Sequence, residues 1–330
     1  MDASLKAFMK GIIDYAGLFP PADLSLDIAI RKYSEYRKID DAWMLSRFIM
    51  PGWKLDELNP YNEELFQEGE PFAFSVLGKG TETVSGYQEH LDELIDALQQ
   101  FHATHGDRVT TDILEIKLPH EAVFANDADL LSEVYSETMQ RFDESSLTPT
   151  DIFFEGYFEE NWKKEIGLAI ETLRSVNADF NGSNVNQGAF KLRCGGVEAH
   201  MFPSVEQVAF ALNKVREQNV AIKCTAGLHH PVRHYADSVK TKMHGFFNVF
   251  GGAMLSYAHD LANDQLEEII REEDPDRFSF DDEGFYWNDL KVSTEEIEEL
   301  RDVALISFGS CSFDEPREDL EQLDLLDTVA

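Results

Sequence analysis

Short apolar runs alternate with segments of helical period along most of this chain. IIDYAGLF (12–19), AWMLSRFIM (42–50), FAFSVLG (72–78), TDILEIKLP (111–119), TDIFFEGYF (150–158), GAFKLRCGG (188–196) and VAIKCTAGL (220–228) have the length and the β-branched and aromatic content of buried strands. Between them, SLDIAIRKYSEYRK, VSGYQEHLDELIDALQQFHATHG, DADLLSEVYSETMQRF, WKKEIGLAIETLRSV and SVEQVAFALNKVREQN repeat apolar residues every three or four positions, as helices with one buried face do. Ser204 stands at the start of the last of these as an N-cap, with Glu206 in its first turn. RFSFDDEGFYW (277–287) reads as an eighth strand and TEEIEELRDVALISFG as a terminal helix. An extended insertion or helical region fills about 229–276, and an acidic tail ends the chain.

This pattern predicts an α/β protein, a (β/α)8 TIM barrel, formed by residues 1–330 as a single domain. An open doubly wound sheet typically carries a glycine-rich turn after an early strand. GxGxxG and the GKS/GKT phosphate loop are both absent, so nothing recommends a dinucleotide or nucleoside triphosphate site.

Charge changes the picture mainly by exclusion. With 28 Lys and Arg against 63 Asp and Glu, the formal charge is −35, and no basic face is apparent for a phosphate backbone, which argues against a nucleic-acid partner. The acid is spread along helical surfaces such as QLEEIIREEDPD, as a solvated coat that suits work at high salt. No apolar run approaches a membrane span, and the N-terminal patch lacks the pattern of a secretory leader, so a cytoplasmic protein is expected. Three cysteines without CxxC exclude a disulfide scaffold. Cys194 and Cys224 read as inert packing, and Cys311 has no histidine near it in sequence.

Candidate chemistry comes from polar residues placed on the strands. Strand 4 carries Glu115, strand 5 Glu155, strand 6 Lys191 and Arg193, and strand 7 Lys223 and Thr225; Asp14 and Arg47 lie on strands 1 and 2. An ammonium in a strand interior is costly unless paired or functional. Barrel enzymes gather their catalytic groups at the carboxyl ends of several strands. Lys191 and Lys223 with Glu115 and Glu155 therefore form the expected catalytic set: an amine that attacks a carbonyl, and a carboxylate that moves protons. Arg193, Thr225, His229, His230, Asp14 and Arg47 are the expected substrate contacts. Carbon–carbon lyase chemistry on a small carbonyl or carboxylate compound, with no cofactor, is the leading expectation.

KLRCGG and IKCTAG, thirty-two residues apart, resemble the strand-6 and strand-7 lysine motifs of the deoxyribose-phosphate aldolase family, class I aldolases on a (β/α)8 barrel. The resemblance spans roughly 110–230. It implies that Lys191 forms the imine, that Lys223 lowers its pKa, and that Glu115 is the acidic partner. Arg193 and Cys194 stand where that family has small hydroxyl residues. DYAGLFPPA and TAGLHHP also resemble signatures of a little-characterised bacterial family.

Two alternatives remain open at this point. His229, His230 and His234 follow strand 7, so His229, His230 and Glu155 can be read as ligands of a divalent metal such as Zn or Mn in a lyase or isomerase. A barrel that only binds a small molecule is the other, expected if the lysines and carboxylates fail to converge. The sequence leaves a homo-oligomer open.

Overall fold

Eight parallel strands close a barrel in the spatial order β1-β13-β7-β6-β5-β4-β3-β2. They are β1 (Ile13–Tyr15), β2 (Leu45–Pro51), β3 (Phe72–Leu77), β4 (Val109–Lys117), β5 (Thr150–Glu155), β6 (Val185–Arg193), β7 (Ile222–Thr225) and β13 (Leu305–Ser310). Two small antiparallel sheets accompany them: β8 (His234–Ala236) with β9 (Thr241–Met243), and β10 (Phe278–Phe280), β11 (Gly284–Trp287) and β12 (Leu290–Ser293) in that order. The computed structural model describes residues 1–326 except Ser146, Thr148, Pro149, Tyr157 and Ser183, and only the backbone of Thr150. Among the described residues, no helix is long and apolar enough to cross a membrane.

The barrel strands read as near-continuous apolar runs because parallel strands under crossover helices are covered on both faces. Phe74, Val76, Ile152, Phe153, Phe154, Ala189 and Phe190 are all buried. The crossover helices fall where the apolar period placed them. Val84–His105 ends at Gly106, whose φ of 56° stops the helix, and Val205–Gln218 begins at Ser204, whose Oγ accepts from the N–H of Gln207.

The eighth strand departs from expectation. Residues 277–287 supply β10 and β11 of the small sheet, while β13, within the expected terminal helix, closes the barrel. The helix there is only Thr294–Val303, begun by a Ser293–Glu296 capping box. The physical reason lies in the two patterns. FSFDDEGFYW alternates about an acidic turn, which an antiparallel hairpin accepts. LISFGS is an apolar run preceded by a helix, as a parallel crossover requires. The acidic tail contains the helix Asp314–Gln322. The insertion adds the helices Gly252–His259 and Asn263–Arg271 to the β8–β9 hairpin.

Contacts divide the chain into two compact units. One comprises Met1–Ser46, Leu192–Glu217 and Ala221–Ala330, and the other Arg47–Lys191 and Gln218–Val220. The first holds an aromatic cluster of Phe8, Phe247, Phe280 and Phe285, and the second one of Phe66, Phe72, Phe74 and Phe101. The polar clusters also fall within single units.

Candidate active site

In the second unit, strand register sets the first cluster. Glu155 on β5 lies level with Lys117 on β4 and Lys191 on β6. Glu115 is two residues earlier on β4, a step that keeps the same face of a strand. The Lys191 ammonium sits 2.8 Å from Glu115 Oε2 and 2.7 Å from Glu155 Oε2, and all three residues are buried. Ser75 on β3 donates to Glu115 Oε1 at 2.6 Å. Of the expected catalytic set, Glu115, Glu155 and Lys191 come together, while Lys223 pairs with Asp14 instead of joining them.

Electrostatics define the resting state of that lysine. Burial pushes its pKa down, but Glu115 and then Glu155 outweigh burial and hold the ammonium well above the usual lysine range. Lys191 is therefore a proton-bearing cation between two carboxylates. An amine appears there only when a proton passes to a neighbour.

The first unit holds the second lysine. The β1–β13 and β13–β7 registers place Asp14, Gly309 and Thr225 at one level. The Lys223 ammonium, fully buried, donates to Asp14 Oδ2, and Ser307 Oγ, 3.4 Å from Lys223 Nζ, donates to the same carboxylate oxygen at 2.6 Å. Asp14, expected as a substrate contact, is the ion-pair partner of Lys223.

A third cluster, also in the first unit, gathers beyond β7 and β13. His229 Nδ1 lies 3.1 Å from Ser310 Oγ, 3.6 Å from Cys311 Sγ and 3.5 Å from Glu315 Oε2. Burial, aided by His230 and His234, lowers the His229 pKa to about 4, so its imidazole is neutral at pH 7. Burial raises the Cys311 thiol to about 11, although backbone N–H groups of Ala22 and Cys311 favour the thiolate. A thiolate–imidazolium pair is thus disfavoured in the protein alone. Burial also raises the Tyr15 hydroxyl, and the charges of Asp314 and Cys311 add to the effect.

The other expected contacts are engaged with protein groups. Arg47 pairs with Asp112, its Nε and Nη2 donating at 2.8 and 2.5 Å. Arg193 is exposed and donates to the Gly195 carbonyl at 2.9 Å, which shapes the turn after β6. The carbonyl of Thr225 accepts from the Cys194 N–H at 2.8 Å. His230 Nδ1 is 2.5 Å from Asp319 Oδ2, and that hydrogen bond raises its pKa.

The metal reading changes accordingly. Of the expected donors, His230 pairs with Asp319 and Glu155 with Lys191. Among the described residues, the donors that gather within 4.8 Å of one another are His229, Cys311 and Glu315. Reading the sequence missed Ser75, Ser307, Cys311 and Glu315. The two serines had a signal, since each interrupts an apolar strand, in FAFSVL and LISFGS. Cys311 and His229 are 82 residues apart and meet only because β7 and β13 are neighbours.

No family model and no curated protein matches this chain. Among solved structures, one titled "QR15, an Aldolase" is similar, with a TM-score of 0.49 and 10% sequence identity over 97% of this chain and 99% of that one.

Proposed function

We propose that the protein is an aldolase-like carbon–carbon lyase that forms an imine between a barrel lysine and a small carbonyl compound. The observation that carries this reading is Lys191 held between two buried carboxylates. Such a cluster has the parts of imine chemistry within one hydrogen bond. A proton leaves the ammonium for Glu155 or Glu115, and the free amine attacks the carbonyl carbon. The same carboxyl group gives its proton to the oxygen as the amine adds, then takes one from the attacking nitrogen and passes it to the resulting hydroxyl, which departs as water. The iminium then accepts the electron pair of the cleaving carbon–carbon bond, and the carboxylate collects the proton released by the leaving half.

Borohydride reduction with a panel of small aldehydes and ketones tests this reading. The expected result is a reduced adduct on Lys191, found by peptide mass mapping and absent from Lys191→Met. An adduct on Lys223 instead moves the imine to the neighbouring motif. Adducts on neither lysine across the panel sink the mechanism.

A further inference from the structure

We propose that His229, Cys311 and Glu315 form a binding site for a zinc-like divalent cation, a reading independent of the imine chemistry. The first argument is spacing. A tetrahedral zinc centre separates an imidazole nitrogen from a thiolate sulfur by about 3.6 Å and from a carboxylate oxygen by about 3.4 Å. Cys311 Sγ lies 3.6 Å and Glu315 Oε2 3.5 Å from His229 Nδ1. All three donor atoms lie within 4.8 Å of one another. Two edges of the polyhedron are already at the lengths a bound ion needs.

The second argument is an excess of acceptors around one point. The Ser310 hydroxyl gives its only proton to the carbonyl of Ser312 at 2.6 Å, so it turns a lone pair toward His229 Nδ1. The carboxylate of Glu315 offers only lone pairs as well. The His229 N–H and the Cys311 S–H are the protons these groups share, whereas a cation displaces the thiol proton and bonds imidazole, sulfur and carboxylate together.

The third argument is placement. His229 follows β7, Cys311 follows β13, and Glu315 lies in the first turn of the helix Asp314–Gln322. The donors therefore sit beyond the carboxyl ends of two paired barrel strands, where barrels build their sites. His229 and Cys311 are buried, while the side chain of Glu315 is half exposed. Three protein donors with one open side leave a fourth position for water or a substrate oxygen. Sulfur and imidazole select a borderline-soft ion over Mg or Ca.

Cobalt(II) titration of the untagged, chelator-treated full chain tests the site. The expected result is one equivalent bound, with a thiolate-to-cobalt charge-transfer band, visible bands of four-coordinate cobalt, and bleaching of both by Zn(II). Cys311→Ser loses the charge-transfer band, while Cys194→Ser and Cys224→Ser keep it. Should Cys311→Ser not fold, Glu315→Gln serves instead. Removing that direct donor lowers cobalt affinity by at least the ~10–100-fold that loss of a supporting group costs, with an unchanged circular dichroism spectrum. Absence of saturable one-to-one binding, a band that survives Cys311→Ser, or unchanged affinity in Glu315→Gln overturns the proposal.

Discussion

Replacing Lys191 by Met removes the cation from a buried set of two carboxylates and one ammonium. The formal charge of the cluster goes from −1 to −2 with little change in side-chain volume. The oxygens that were 2.8 and 2.7 Å from the ammonium then face each other without it. Breaking a buried pair by removing one partner costs about 3–5 kcal/mol, so that is the expected loss at pH 7. The variant responds by sharing a proton between Glu115 and Glu155, as crowded carboxylates do. Its folded state then binds a proton that the unfolded chain, with Glu near 4.3, has released, so its stability rises on acidification. Between pH 7 and pH 5 one such proton restores up to about 3 kcal/mol, at ~1.4 kcal/mol per pH unit. The wild type shows no such gain. Its Lys191 pKa is raised, so that contribution is fully present below ~10.4 and is lost only as pH climbs through the folded value. Urea denaturation of both proteins at pH 7 and pH 5 reads the gap, and adding Glu155→Gln to the variant narrows it. A gap below ~1 kcal/mol, or one of equal size at both pH values, refutes the picture of a buried cluster held together by its ammonium.

Two further outcomes follow from other sites. His244 is buried with Nε2 2.8 Å from the Pro203 carbonyl, and burial lowers its pKa to about 4. Its unfolded value is near 6.5, so acidification from pH 6.5 to 4 removes up to about 3 kcal/mol of stability. Denaturation of His244→Gln across that range is expected to show a shallower acid loss, and an identical slope contradicts the assignment. Gly227 has a φ of 72° and an added Cβ would meet the Gly195 Cα at 3.0 Å, so Gly227→Ala is expected to lose more than ~1 kcal/mol in urea denaturation. A loss within error would show that the turn relaxes freely.

Much of the barrel was legible because its strands and crossover helices have different periods. β3, β4, β6 and the helix Val84–His105 fall close to their apolar runs. β13 was hidden because ALISFGS directly follows a strong helical period, and local patterning does not say where one element yields to the next. That boundary is settled when Phe308 and Gly309 pair with β7 and Ile13 and Asp14 with β13.

The site divides in the same way. Glu115, Glu155, Lys191 and Lys223 stood out in the sequence because charge inside an apolar strand is costly and demands a partner. The sequence alone thus determined the barrel class, the strands that carry charge and the acidic surface. It left the partners open, since pairing depends on which strands become neighbours and on their register. Only the tertiary structure decided that Lys191 belongs to two glutamates and Lys223 to Asp14. Only closure of the barrel by β13 carries Cys311 to His229 across 82 residues, because a contact between distant chain segments exists only once the strands bearing them are paired.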